Sequence, residues 1–144
     1  MEKKSKNIKE TNKIAKEFLD KIKPNKVGAT TVGLYGDLGT GKTAFTQAVA
    51  KLLGVKRKVN SPTFVIMKSY LLKNSSFGKL IHIDAYRLKN EKELLHLGWE
   101  EIIGNPGHLV FIEWPERVIK AMPKKHHKIL ISHTKEGHRR FKIK

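Results

Sequence analysis

Cysteine is absent from the 144 residues, which excludes disulfides and thiolate metal sites at once. Long hydrophobic runs are missing too. No stretch approaches the roughly 20 apolar residues of a membrane-spanning helix. The polar start Met1-Glu2-Lys3-Lys4-Ser5 has no apolar core of a signal peptide, so a cytoplasmic location is the expectation. Acidic side chains are scarce, 13 against 30 basic ones, and the net charge is +17. Arginine is scarcer still, five residues against 25 lysines. Specific base contacts favour the arginine fork, so this lysine surplus reads either as affinity for a polyanion or as the mark of a lysine-rich proteome. Its members lie in separate segments: Lys3-Lys4, Lys56-Arg57-Lys58, Lys124-Lys125 and Arg139-Arg140. On the first reading the surplus attracts a polyanion such as tRNA, directly or through an RNA-bearing partner. The apolar fraction, 39%, is that of a globular chain of one domain.

What is present is a complete phosphate-binding loop. Gly36, Asp37, Leu38, Gly39, Thr40, Gly41, Lys42 and Thr43 spell G-x-x-x-x-G-K-T. Its four fixed positions arise by chance in a chain this short at a rate of roughly half a percent. The run from Ala29 to Tyr35 reads as a buried strand before it. After it, Ala44, Phe45, Ala48, Val49, Leu52 and Leu53 fall at helical spacing, and Gly54 supplies the stop. Strand, glycine loop and helix are what the chemistry requires. Glycines let successive N–H groups approach phosphate oxygens, and the helix adds its unpaired N-terminal donors and positive dipole end. Lys42 then reaches the β- and γ-phosphates, and the Thr43 hydroxyl is a ligand for Mg²⁺.

Along the chain, residues 1–9 are lysine-rich and expected to fray. Thr11 to Lys23 reads as an amphipathic helix, and Pro24 marks its exit. Thr63 to Leu72 and Lys79 to Asp84 read as strands of an antiparallel hairpin. Glu91 to Leu97 reads as a short helix and Gly104 to Gly107 as a turn. His108 to Trp114 is a strongly apolar strand, followed by a short helix near Pro115 to Ala121. Lys128 to Ser132 and Arg139 to Ile143 form a terminal hairpin. The expected fold is α/β: one phosphate-loop NTPase domain over 1–144. It has a mixed, mainly parallel central sheet flanked by helices, with antiparallel hairpin additions.

Two apolar strands end in carboxylates, at Asp84 and Glu113. In open α/β sheets ligands bind beyond the carboxyl ends of the strands, so both acids fall near the loop, and one of them serves Mg²⁺. The longer apolar run favours Glu113 for the metal. Thr63 follows the loop helix where a switch segment points a hydroxyl at metal or γ-phosphate, although a turn before a strand is the better local reading. His82 alternates with Asp84 on one strand face and reads first as a structural histidine. Arg87 and Arg117 are candidates for offsetting transition-state charge.

Five segments occur in a fixed order: Gly36–Thr43, Ser-Pro-Thr-Phe (61–64), His-Ile-Asp-Ala-Tyr-Arg-Leu (82–88), Leu-Gly-Trp-Glu-Glu (97–101) and Ile-Glu-Trp-Pro-Glu (112–116). In this ordered set the chain closely resembles the TsaE (YjeE) family of bacterial ATPases, over Thr11 to about Arg140. That family acts in the threonylcarbamoyl modification of adenosine 37 in ANN-decoding tRNAs. The resemblance implies ATP and Mg²⁺ as ligands. It implies a nucleotide site made by the loop with Ala44, Thr63 near the metal and Thr11 near the base. Catalytic roles fall on Lys42, Asp84 and Glu113, and metal ligation on Thr43 and Glu113, with Trp114 alongside. It also implies weak ATPase activity alone and stimulation by the transferase pair TsaD and TsaB. The lysine-rich start and the tail after Pro123 match no motif of the family.

Other readings fit the residues less well. A small-molecule kinase needs an acceptor pocket and a lid with several arginines, and five scattered ones do not supply it. A GTPase needs N-K-x-D, whereas Asn12-Lys13 leads to Ala15 and Asn25-Lys26 to Gly28. A basic RNA-binding module with nucleotide as a structural ligand is a further class.

Overall fold

A computed structural model describes residues 1–56 and 66–144. Seven strands form one sheet in the order β1-β7-β6-β2-β5-β4-β3. The strands are β1 (Glu2–Ser5), β2 (Thr30–Tyr35), β3 (Met67–Leu71), β4 (Lys79–Asp84), β5 (His108–Glu113), β6 (His127–His133) and β7 (Arg139–Ile143). The helices are α1 (Ile8–Lys21), α2 (Lys42–Leu52), α3 (Glu91–Leu95) and α4 (Trp99–Gly104), with a 3-10 helix over Pro115–Ala121.

The centre is parallel, β2 pairing with both β5 and β6, and β4 with β5. Of these, β2, β4 and β5 are buried on both faces, as their continuous apolar runs require. The rims are antiparallel, β3 on β4, β7 on β6 and β1 on β7. This is the mixed, mainly parallel sheet with hairpin additions expected from the sequence.

Strand alternation sorts the core into two layers. On one face Val32, Leu34, Leu109, Phe111, Ile129 and Phe141 pack against Ile14 and Phe18 of α1 and Phe45 and Val49 of α2. On the other, Ile81, Ile83, Val110 and Ile112 pack against Leu94, Trp99, Ile102 and Val118. Trp99 also donates its indole N–H to the Ala121 carbonyl at 2.9 Å, tying α4 to the 3-10 helix.

The structure differs from the sequence reading in three places. Residues 2–5 do not fray: they form β1, whose backbone pairs in register with 139–142. The first helix opens at Ile8 and not Thr11, because the Asn7 side chain accepts the Glu10 N–H at 2.9 Å and caps it. Thr11 is therefore inside the helix and buried, its hydroxyl 2.7 Å from that of Ser5. And α4 occupies 99–104, ahead of the turn at 104–107. It starts from Gly98, whose left-handed φ of 82° suits glycine.

The terminal hairpin belongs to the core, since Phe141 is fully buried with its ring 5.5 Å from that of Phe45. Replacing Phe141 with Ala should cost about 3–5 kcal/mol, the usual range for a buried aromatic. Urea denaturation would measure it. A loss under about 1 kcal/mol would mean that the hairpin is an appendage.

Candidate functional site

The backbone between Tyr35 and Lys42 turns through three left-handed glycines, Gly36, Gly39 and Gly41. At Gly36 the turn also needs the missing side chain, whereas at Gly41 the nearest atoms are the movable end of Arg139. A Cβ on Gly36 would run into the carbonyl oxygen of Ile131, on the adjacent β6. One on Gly41, where φ is 106°, would lie 2.7 Å from Nη1 of Arg139. The terminal hairpin thus fits against the loop. His133 Nε2 adds a hydrogen bond to the Gly39 carbonyl at 3.0 Å.

Lys42, the first residue of α2, is only 5% exposed. Its ammonium donates to the carbonyls of Gly36 and of Asp37, the latter at 3.2 Å. It also sits 3.8 Å from the centre of the Trp114 ring, a cation–π contact. Burial lowers its pKa from the ordinary lysine value, while Glu113, Glu116, Asp84 and Asp37 act the other way. In the same loop the Thr40 hydroxyl donates to the Asp37 carbonyl at 2.9 Å.

The acids arrive by strand register. Asp84 and Glu113 are paired positions at the ends of parallel β4 and β5, and Leu34, next to the end of β2, pairs with Glu113. Both carboxylates are buried, 7% and 4% exposed. Thr43 Oγ1 lies 3.1 and 3.0 Å from the two Glu113 oxygens. His82 Nε2 lies 2.6 Å from Glu113 Oε2. His82 is fully buried, so this contact is screened from water. Asp84 accepts the Tyr86 N–H at 3.0 Å, which folds the chain back after β4.

Trp114 covers the site in a left-handed backbone conformation (φ 58°), the non-glycine example among the described residues. Such a residue costs on the order of 1–2 kcal/mol and persists where its surroundings hold it. Here Tyr86 packs on the indole at 5.1 Å, and Arg117 lies over Tyr86 at 5.3 Å. Under this cover a cavity of about 410 Å³ is lined by the 38–44 loop, Asp84, Glu113 and Arg139. Leu38 stands exposed in its lining. A larger cavity, about 820 Å³ beside β3, holds none of these groups.

Of the residues singled out in the sequence, the cavity unites Leu38, Gly39, Thr40, Gly41, Lys42, Thr43, Ala44, Asp84 and Glu113. Gly36 and Asp37 lie behind it, holding the Lys42 ammonium. Thr11 lines a separate cavity of about 170 Å³ with Ser5, Asn7, Gly137 and Arg139. Thr63 lies outside the described residues. Arg117 is absent from the lining and Arg87 likewise.

Two residues gain importance that their sequence context did not give them. His82 is more than a core histidine, because it grips the Glu113 carboxylate. Arg139 lines both cavities and lies against Gly41. Only the return of β7 beside β6 brings it there, so no local pattern announces it.

This geometry has relatives. Residues 5–141 match the family model "Threonylcarbamoyl adenosine biosynthesis protein TsaE". The chain is 38% identical over 133 residues to the tRNA threonylcarbamoyladenosine biosynthesis protein TsaE of Bacillus subtilis, covering 92% of this chain and 78% of that one. It is 41% identical over 117 residues to the protein of that name from Rickettsia felis, covering 81% of this chain. That match spans 63% of the Rickettsia protein's length. Among solved structures, Bacillus subtilis YdiB superposes with a TM-score of 0.76 at 28% identity, over 98% of this chain and 82% of that one. A glycine loop backed by paired strand-end acids, in a chain matched almost end to end, places this protein in the TsaE family of tRNA threonylcarbamoyladenosine biosynthesis.

Proposed function

We propose that this protein binds and hydrolyses ATP with Mg²⁺, and that the hydrolysis drives or resets a TsaD–TsaB transferase complex that modifies tRNA. The observation that carries this reading is Glu113, a buried carboxylate within 3.1 Å of the loop threonine and 2.6 Å of His82. The donor set suits the ion. Thr43 and Glu113 offer hard oxygens, and Mg²⁺ is typically held by one or two carboxylates together with nucleotide phosphates and water. Bound there, the ion would neutralise charge developing on the phosphoryl oxygens.

The chain's own residues do the rest. The loop amides and the N-terminus of α2 hold the phosphates. Lys42 leaves the Gly36 and Asp37 carbonyls and turns to the β- and γ-phosphate oxygens, keeping its proton and its charge. With its proton on Nε2, His82 donates a hydrogen bond to Glu113 and fixes that carboxylate's orientation. Asp84, whose strand position pairs with that of Glu113, would orient the attacking water. Trp114 and Tyr86 line one side of the same cavity. The kinase alternative draws little support from the cavity, whose lining contains one arginine among the described residues, Arg139.

Lys42→Ala should weaken ATP binding by about 100-fold, the scale of a lost charge-assisted contact in a buried site. Calorimetry with ATP would read this, and an unchanged affinity would remove the loop as the site. Glu113→Ala should retain nucleotide but lose Mg²⁺-dependent turnover by about 100-fold or more, with His82→Ala losing about 10-fold through a misplaced carboxylate. Intact Mg²⁺-dependent turnover in Glu113→Ala would move the metal role to Asp84. Turnover should rise when TsaD and TsaB homologues are added. Absence of stimulation, in a mixture that still produces modified tRNA, would sink the partner-driven reading.

A further inference from the structure

The β6-β7-β1 rim presents two chemically different faces. The inner one carries Ser5, Ile129, Ile131 and Phe141, all buried against the helical layer. The outer one is open: Glu2, Lys4, Lys128, Ser132, Lys142 and Lys144 are exposed, and Leu130 and Arg140 half-buried. Helical cover ends at β2, where Pro115 and His126 approach Gly33 and Tyr35.

Register fixes the pattern of charge on the outer face. Lys4 pairs with Arg140, and Arg140 with Ser132. Glu2 pairs with Lys142, and Lys142 with Leu130. Lys128 and Lys144 exchange two backbone hydrogen bonds at 3.0 and 2.8 Å, which continues the same face by one more rung. Directly opposed residues stand about 5 Å apart across strands and next rungs about 7 Å along them. Two rungs therefore set cation against cation, an arrangement that destabilises a sheet unless something neutralises it. Among the described residues Glu2 meets Arg140 at 3.0 Å. Glu136 stands at the hairpin tip, where the Thr134 hydroxyl foremost, with Lys4 and His138 adding less, lowers its pKa from the ordinary carboxylate value. Two acids against five cations leave the face strongly positive.

We propose that this outer face binds the sugar–phosphate backbone of tRNA. Its composition argues against a protein partner: lysine is depleted at the centres of protein interfaces, and the single apolar side chain here is the half-buried Leu130. Lysines on successive rungs suit phosphates, whose contacts position a nucleic acid without reading its bases. The choice of RNA rests on the family's place in tRNA modification. The face is separate from the nucleotide site: alternation along β7 sends Arg139 inward to the loop and Arg140 outward.

The test measures binding of a tRNA transcript to the protein alone, without ATP or transferase, by fluorescence anisotropy across a salt series. The variant carries Lys128→Glu, Lys142→Glu and Lys144→Glu. Its control carries Lys9→Glu, Lys13→Glu and Lys26→Glu, an equal charge change on exposed residues elsewhere. The face variant should bind at least about 10-fold more weakly and lose about 2 from the magnitude of its log–log salt slope, against less than about threefold for the control. Equal losses in both variants would overturn the proposal in favour of net charge. So would an absence of tRNA binding by the wild type at about 50 mM salt, or unchanged tRNA binding alongside a lost acidic protein partner. Circular dichroism checks the fold, and Lys142→Glu alone, expected to lose about two- to threefold, serves if the triple variant unfolds. ATP turnover should match wild type in every variant, so a failure here leaves the ATPase reading untouched.

Discussion

A carboxylate held at 4% exposure is costly unless donors surround it, and Glu113 has gathered its donors from two other elements. The Thr43 hydroxyl comes from the first turn of α2, the His82 ring from β4. Satisfying this one group therefore fixes the spacing of β4, β5 and α2 together. The loop is trapped in between, because it is the chain that connects β2 to α2. What looks like a nucleotide motif with an acid nearby is, physically, a buried charge whose solvation shell is the motif.

The rest of the site follows the same economy of polar contacts. Lys42 is buried, so its ammonium takes the Gly36 and Asp37 carbonyls and the Trp114 face. On the proposed function, each partner would give way to a phosphate oxygen of greater charge. Trp114 reaches its position only through a left-handed backbone, anchored by Tyr86. Strain is thus concentrated at the cover of the cavity, while the sheet beneath is regular. On the proposed function, a nucleotide in this cavity would exchange weak internal contacts for strong ones.

Legibility in the sequence tracked how local the cause was. The strand–loop–helix unit is contiguous, so its glycines, Lys42 and Thr43 could be read directly, and the ends of β4 and β5 fell where the apolar runs met Asp84 and Glu113. The cap of α1 was written in Asn7 and Glu10 but hidden by the surrounding lysines. For β1 there was nothing to read: its side chains are mostly polar, and its stability comes from backbone bonds to β7. Similarly α4 is a six-residue helix whose hold on the fold is the burial of Trp99, a tertiary effect. His82 showed the right alternation with Asp84, yet its role depends on β5 lying alongside. Arg139 needed the whole topology.

That last residue and its neighbour show how one short strand serves two ends. A strand of alternating side chains on the sheet's rim has an inner row facing the loop and an outer row facing water. Along β7 the inner row is Arg139, Phe141 and Ile143, which changes from cation at the loop to hydrophobe in the core. The outer row, Arg140 and Lys142, has no core to fill and carries charge. A shift of one residue in β7 register would exchange the rows, burying two cations and exposing Phe141. Core packing of Phe141 therefore protects the electrostatics of both faces, and the same hydrophobic contact that closes the sheet decides where the charge of the hairpin is displayed.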